Sequence, residues 1–251
     1  MHTESVVLID LGNTRLKAKH SNAPAGSVFS VAHAQSNWAE EFQNYLRSNK
    51  NIHSAIVASV ADHAITSQMQ AVLSNNNISI EWVRSQAGFQ AIRCAYKDPD
   101  SFGVDRFLGL IAAHQRFKQA CLIVSIGSVL CIDLIDADGQ HIGGLLASTA
   151  SQQQKMLATD FPALQSQGGS EQNWASTTAD AIISGTLFSN IALIEHSMQR
   201  AEQQLGHAVQ LVITGGGAMA VLQHFSAANY VEYLVLEGLQ HWAKHTQDKT
   251  R

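Results

Sequence analysis

The chain has 251 residues, of which 45% are hydrophobic and 14% charged, and its net charge is −4 at neutral pH. This composition argues against intrinsic disorder, and the length suits one large domain or two of about 125 residues each. The basic residues are scattered rather than clustered, so we expect no nucleic-acid-binding surface. No apolar run reaches the roughly 18 residues that span a bilayer, and the N-terminus lacks a signal-peptide pattern. We therefore expect a cytoplasmic protein without a membrane partner.

Short apolar runs bounded by turn residues predict strands at 5–9, 55–59, 121–126, 130–135 and 209–213. Apolar residues at helical spacing predict helices around 38–46, 65–73 and 107–114, and a long helix over about 178–205. The stretch 152–174 is rich in Gln, Ser and Gly, which is typical of a mobile loop. Strands that alternate with helices favour an α/β fold with partly parallel sheets.

Two stretches of the sequence repeat one pattern. Residues 6–20 predict a strand, a turn at Gly12 and a second strand, and residues 122–136 predict the same order around Gly127. A repeat of this kind indicates two similar halves. We expect them at residues 1–117 and 118–251, packed around a central cleft.

The first turn lies in the sequence DLGNTRLK at residues 10–17. Gly12 lets backbone N–H groups approach an anion, Thr14 adds a hydroxyl, and Asp10 can hold Mg²⁺ through water. No Walker sequence GxxxxGK[ST] occurs in the chain. A plain hairpin turn, in which Gly and Asn are common, explains the same residues.

Asp105 and Arg106 stand together at the predicted start of a helix, in the sequence GVDR. The carboxylate can accept a hydroxyl proton, and the guanidinium can bind a carboxylate or a phosphate. Helix capping and surface solvation would place the same residue types there. In isolation this motif favours the structural interpretation.

Three consecutive glycines, Gly215 to Gly217, follow a predicted strand and precede a predicted helix. A simple turn needs one glycine, so the run predicts contact with a ligand or with a close backbone. His241 and His245 have HxxxH spacing without an obvious third ligand, and the three cysteines lack CxxC spacing. We therefore assign no zinc site and no disulfide framework.

In their order along the chain, these motifs resemble the type III pantothenate kinase family. The resemblance covers DLGNTRLK, Tyr96, GVDR, the second Gly turn ending at Asp133, the helix start at Thr178 and the glycine run. It implies the fold of the actin, hexokinase and acetate kinase superfamily, an α/β fold with duplicated actin-like (ribonuclease H-like) halves. It also implies a cytoplasmic homodimer that phosphorylates pantothenate with ATP in the first step of coenzyme A biosynthesis.

The resemblance also implies roles for individual residues. Asp105 would be the catalytic base, and Asp10 would hold Mg²⁺ through water. Pantothenate would contact Tyr96, Gly103, Val104, Asp105, Arg106 and Thr178. The ATP phosphates would contact Asp10, Leu11, Gly12, Asn13, Thr14, Arg15, Leu16, Lys17 and, from the second turn, Ser128. Thr178 would act on the partner's pocket in the dimer.

The second turn departs from the family pattern. The family has an Asp there that binds a monovalent cation such as K⁺ or NH₄⁺, and Ser125 replaces that charge with a neutral hydroxyl. Cys131 replaces a Thr with a poorer hydrogen-bonding group. These changes leave a second interpretation open, a non-catalytic or regulatory relative that retains the fold and the substrate pocket. A third interpretation is a kinase of the same superfamily that acts on another small molecule.

Overall fold

The computed structural model describes residues 6–24, 26–49 and 51–249. The strands are β1 (Val6–Leu11), β2 (Arg15–His20), β3 (Phe29–Ala32), β4 (Ser54–Ser59), β5 (Ser79–Trp82), β6 (Gly88–Phe89), β7 (Ile92–Arg93), β8 (Cys121–Ile126), β9 (Leu130–Ile135), β10 (His141–Ala147), β11 (Gln210–Thr214) and β12 (Asn229–Tyr230). The helices are α1 (Trp38–Ser48), α2 (His63–Asn75), α3 (Val104–Phe117), α4 (Ala150–Asp160), α5 (Thr178–Leu205), α6 (Ala218–Leu222) and α7 (Leu234–Lys249), with a 3₁₀ turn at Pro99–Ser101. The first predicted strand begins at Val6, and Ser5 lies outside the described residues.

The chain forms two compact units. The first unit comprises the described residues up to Gln90, Tyr96–Ala112 and the described residues from Leu234 onward. The second unit comprises Ala91–Ala95 and Ala113–Tyr233. The division therefore falls inside α3, a few residues before the expected boundary at 117, and it groups α7 with the first unit.

The first unit is built on a five-stranded sheet in the order β3-β2-β1-β4-β5. β1 pairs antiparallel with β2 and parallel with β4, and all six of its residues are buried. Alternate β1 side chains, including Ile9, enter a core with Phe42 of α1 and Leu73 of α2. A strand buried on both faces is expected where helices cover the sheet. This burial fixes β1, and with it the position of the turn that follows.

The second unit repeats this topology with strands β10-β9-β8-β11-β12. β8 pairs antiparallel with β9 and parallel with β11, as β1 does with β2 and β4. The 28-residue helix α5 packs against this sheet through apolar residues such as Leu187, Ile191 and Ile194. The predicted repeat is confirmed, because the strand orders of the two sheets correspond one to one.

The prediction of a mobile loop at 152–174 was wrong for its first part. Residues 150–160 form α4, which begins with a capping box in which Thr149 and Gln152 bond each other's backbone N–H groups. α4 buries none of its residues, so it lacks the apolar stripe by which helices are recognised in a sequence.

Among the described residues, no helix combines the length and the apolar character needed to cross a bilayer.

Candidate active site

The first hairpin, residues 10–17, joins β1 to β2. Asp10 lies opposite Lys17 in the ladder, and Lys17 Nζ lies 3.1 Å from Asp10 Oδ2. The turn is closed by the Gly12 N–H, which donates to the Arg15 carbonyl at 3.0 Å. Asn13 and Thr14 are exposed at its tip. Residues 10–17 therefore form the hairpin turn that one of the two interpretations predicted, and its tip is exposed to a ligand.

The predicted phosphate-binding residues of the first hairpin divide into two groups. Leu11 and Leu16 are completely buried in the core, main-chain atoms included, so neither presents an exposed atom to a nucleotide. The Arg15 side chain is exposed, and its Nε donates to Ser30 Oγ at 3.1 Å. Lys17 is half-buried beside Asp10. Lys17 and Arg15 thus supply the positive charge of this hairpin.

Asp105 is the second residue of α3, and its carboxylate folds back over the start of the helix. Its Oδ1 accepts the Arg106 N–H at 2.9 Å. A Cβ atom at position 103 would lie 2.7 Å from the same oxygen, so Gly103 is needed for this conformation. Gly103 is therefore explained by the local structure, because it leaves room for the Asp105 carboxylate.

Burial raises the pKa of Asp105, and the Arg106 N–H bond opposes that shift. The negative charge of Asp10 raises the pKa of Asp105 further, whereas the Arg106 guanidinium lowers it. The two carboxylates predicted from separate motifs are thus close enough in the first unit to interact electrostatically. A carboxylate with a raised pKa is a stronger base than an ordinary aspartate.

Arg106 is buried against two aromatic rings that also contact each other. Its Cζ lies 4.6 Å from the Phe102 ring centroid and 5.6 Å from that of Tyr96, and its Nη1 donates to Tyr96 Oη at 3.1 Å. Stacking of this kind orients the planar guanidinium. A held guanidinium is suited to binding a carboxylate. Arg106 therefore contacts both Tyr96 and Asp105, and the contact of these residues with pantothenate stays a prediction.

The remaining predicted residues lie in the second unit. Ser128 is half-buried in the turn between β8 and β9, which the Gly127 N–H closes onto the Val129 carbonyl at 3.2 Å. Ser125 is half-buried on β8, opposite Cys131 on β9 and Thr214 on β11. Ser125 thus lies in the middle of the ladder, at the position where the resemblance implies a charged ligand.

Thr178 is the first residue of α5, and it is exposed. It lines a cavity of about 350 Å³ between α4 and α5, together with Gln153, Leu157, Leu164, Ala181, Ile182, Gly185 and Thr186. The cavity is mainly apolar, with hydroxyl and amide groups at its wall. Its composition suits a small ligand with both polar and apolar parts.

The glycine run is explained mainly by a close backbone. A Cβ atom at Gly215, whose φ is +96°, would lie 2.5 Å from the Ile126 carbonyl oxygen. A Cβ atom at Gly217 would lie 2.5 Å from Ile126 Cγ2. A Cβ atom at Gly216 would have no neighbouring atom within 4 Å. Of the two alternatives left open by the sequence, the close backbone holds for Gly215, and at Gly217 the Ile126 side chain leaves no room for a Cβ atom. Only Gly216 borders open space.

The sequence analysis did not predict the surroundings of two histidines. His141 Nε2 lies 3.2 Å from Asp133 Oδ1, and both side chains are buried. His33 donates its main-chain N–H to the Thr14 carbonyl at 3.0 Å, beneath the tip of the first hairpin. Twelve dispersed histidines give no signal that distinguishes these two. Within the described ranges, no group of three or more His, Cys, Asp or Glu side chains could hold a metal ion.

Residues 6–200 match the sequence model of the family described as type III pantothenate kinase. A protein of Stenotrophomonas maltophilia (strain K279a) that is named type III pantothenate kinase is 40% identical over 239 residues, which cover 95% of this chain and 97% of that protein. This degree of identity over nearly the whole length of both chains shows common family membership.

Solved structures show the fold. A conserved Baf family protein of Campylobacter jejuni, described as a transcriptional activator, matches with a TM-score of 0.64 at 19% identity, covering 96% of this chain and 99% of that one. The activator of 2-hydroxyisocaproyl-CoA dehydratase from Clostridium difficile, with bound ADPNP, matches with a TM-score of 0.51 at 10% identity over 98% of both chains. The α/β fold with duplicated actin-like halves is confirmed. By the family match and its relatives, the chain belongs to the type III pantothenate kinase family.

Proposed function

We propose that this chain transfers the γ-phosphoryl group of ATP to pantothenate, giving 4′-phosphopantothenate, as a cytoplasmic enzyme with Asp105 as general base. The observation that carries the proposal is the grouping of Asp105, Arg106 and Asp10 in one unit of a chain of this family. The matched relative is named as a kinase, which gives no support to the non-catalytic alternative.

The reaction requires a base and a means of aligning the substrate. The primary hydroxyl of pantothenate loses its proton to the Asp105 carboxylate while its oxygen bonds to the γ-phosphorus, and the bond between that phosphorus and the leaving ADP oxygen breaks. Because burial raises the pKa of Asp105, its carboxylate accepts this proton more readily than an exposed aspartate. Arg106, stacked on Phe102, would bind the pantothenate carboxylate.

The exposed residues Asn13 and Thr14 and the charge of Lys17 support phosphate binding at the first hairpin. Mg²⁺ usually binds through one or two carboxylates, substrate phosphates and water, and Asp10 offers a carboxylate of that kind. When bound, Mg²⁺ would supply neutralisation of the developing phosphate charge. The family resemblance adds the Ser128 hydroxyl as a further phosphate contact.

The monovalent cation site is a separate part of the proposal. The Ser125 hydroxyl is a neutral oxygen ligand where the family has a carboxylate, and neutral ligands attract a cation less strongly. We expect a weak response to K⁺ or NH₄⁺ rather than an absolute requirement for either cation.

We also propose a homodimer in which Thr178 contacts pantothenate. Large apolar side chains exposed in the second unit support this, since association with a partner chain would remove them from water. They include Leu145, Leu146, Met156, Phe161 and Trp174. Analytical ultracentrifugation of the purified protein would establish whether it is a dimer. Mixed dimers of Asp105→Asn and Thr178→Ala chains would regain some activity only if Thr178 acts on the partner's site.

A coupled ADP-release assay tests the proposed reaction. Purified protein with Mg²⁺ and ATP is assayed with and without pantothenate, in K⁺, in NH₄⁺ and in neither. We expect ADP release that depends on pantothenate, with a modest cation effect. Absence of such release from folded protein under all three conditions would favour the non-catalytic relative. Release with another hydroxyl acceptor instead would favour a different small-molecule kinase.

A further inference from the structure

His33 has an unusual environment below the first hairpin. It follows β3, and its main-chain N–H holds the Thr14 carbonyl at 3.0 Å. Its ring lies 5.3 Å from the Trp38 ring, between centroids, at an interplanar angle of 54°. Both ring nitrogens are buried, no side chain among the described residues is hydrogen-bonded to them, and the Asn13 backbone lies beside the ring. Buried polar atoms are nearly always paired, so this ring requires an explanation.

The surroundings of the ring favour its neutral form in the free protein. Loss of hydration lowers the pKa of His33, and the Arg15 charge lowers it further. The backbone of Asn13 and the charge of Asp62 act in the opposite direction. Trp38 is the neighbour that α1 presents to the ring. The Asp62 carboxylate is already engaged, because it accepts the Ile65 N–H at the start of α2.

A bound polyphosphate would change this balance. The phosphates of ATP carry several negative charges, and at the first hairpin they would lie beside Asn13 and Thr14, whose backbone His33 adjoins. Negative charge within a few ångströms favours a protonated imidazole. A protonated ring has two N–H donors, and the Asn13 backbone is beside it to accept one of them.

We propose that His33 is a positioning residue of the first hairpin that takes up a proton when the phosphates of a nucleotide bind there. Its main-chain N–H already holds Thr14, and its protonated ring would hold Asn13. The Asn13 and Thr14 carbonyl groups would then both accept hydrogen bonds from His33, so the tip would be held in one conformation while it binds phosphate. This inference rests on the proposed function only in requiring that nucleotide binds at this hairpin.

Calorimetric titration with Mg²⁺ and ADP tests the inference directly. The titrations are run near pH 7 in buffers of different ionisation enthalpy, which gives the number of protons taken up on binding. The wild type is compared with His33→Gln and with a matched control, His53→Gln, which alters an exposed histidine of the same unit. We expect proton uptake in the wild type and the control, and its loss in His33→Gln.

The dependence of affinity on pH gives a second readout. One coupled proton changes ADP affinity by up to about tenfold per pH unit, tighter at lower pH. We expect this slope to be larger in the wild type than in His33→Gln. NMR of ¹⁵N-histidine in the wild-type protein avoids reliance on a variant that could fail to fold. The His33 ring should titrate at a higher pH with ADP and Mg²⁺ than without them.

The possible results separate the two proposals. Binding of ADP with equal proton uptake in the wild type and His33→Gln, or an unchanged His33 titration, would overturn this inference and leave the kinase proposal intact. No binding of ADP to any of the folded proteins would overturn both.

Discussion

Lys17 Nζ and Asp10 Oδ2 lie 3.1 Å apart across the first hairpin, so the cation proposed to bind phosphate is paired with the carboxylate proposed to hold Mg²⁺. The two residues are direct partners in the β1–β2 ladder, and the Asp10 side chain is the more buried of the two. Each group thus has a counterion before any ligand arrives. Binding of Mg²⁺ and ATP would offer Mg²⁺ to Asp10 and phosphate oxygens to Lys17.

Replacing Lys17 with methionine tests its part in catalysis. Lys17→Met keeps the length of the side chain and removes its charge, so phosphate charge in the transition state loses one stabilising partner. We expect the turnover number to fall roughly 10²-fold to 10³-fold, the cost of removing one preorganised electrostatic group. Lys19→Met is the matched control, because Lys19 is a half-buried lysine on the same strand. Equal turnover in the two variants would contradict the assigned role.

Replacing Asp105 with asparagine should separate activity from stability. Asp105→Asn removes the base, and we expect turnover to fall roughly 10²-fold to 10⁴-fold. Since the folded-state pKa of Asp105 is raised, its ionised form opposes folding above that pKa. The variant should therefore unfold at a higher temperature than the wild type at neutral pH. This gain should disappear below pH about 4, where the aspartate is protonated in both the folded and the unfolded state.

The pH profile of the wild type checks the same assignment. The acid limb of kcat/KM should lie above the usual pKa of an aspartate, since only ionised Asp105 can accept the proton. Asp100→Asn, at an exposed position in the preceding 3₁₀ turn, is the control and should leave both rate and profile unchanged. An unchanged rate in Asp105→Asn would remove Asp105 from the mechanism.

Replacing Arg106 with lysine tests recognition of the substrate carboxylate. Arg106→Lys keeps the positive charge but loses the planar fork and its stacking on Phe102. We expect the KM for pantothenate to rise about tenfold to a hundredfold, with kcat much less affected, because the carboxylate contact is the same in the ground and transition states. Arg116→Lys, an exposed arginine on the same helix, is the control. A fall in kcat at constant KM would contradict a binding role.

The sequence predicted those parts of the fold that have strong periodicity. β8, β9 and α5 have the bounds expected for them, because their apolar residues follow a strand or helix pattern between clear turn signals. α4 was missed because its sequence is rich in glutamine, shows no apolar stripe and contributes no buried residue. Its capping box, Thr149 with Gln152, was the available signal.

The candidate site was predictable where residues share a motif or a ladder. The hairpin pattern implies that Asp10 faces Lys17, because a short turn sets the register of its two strands. The approach of Asp10 to Asp105 joins residues 95 positions apart in the sequence, and no local pattern encodes it. The same holds for His33, whose buried ring nitrogens are a property of packing and are not visible in the sequence.

The glycine run allows a final test, because its three members differ only in their surroundings. Gly215→Ala would place a methyl group against the Ile126 carbonyl in a backbone conformation that disfavours side chains. We expect it to lower the free energy of unfolding by about 2 to 4 kcal/mol, through strain and overpacking. Gly216→Ala is the matched control for stability, since its methyl group would meet open space, and it should change stability by less than about 0.5 kcal/mol.

Thermal denaturation of both variants checks this difference in stability, and nucleotide affinity adds a second comparison. If a bound nucleotide lies over Gly216, the Gly216→Ala protein should be stable yet bind ADP more weakly than the wild type. Wild-type affinity in Gly216→Ala would show that the whole run serves the close approach of β11 to the second hairpin. Equal stability of Gly215→Ala and Gly216→Ala would contradict the packing assigned to Gly215.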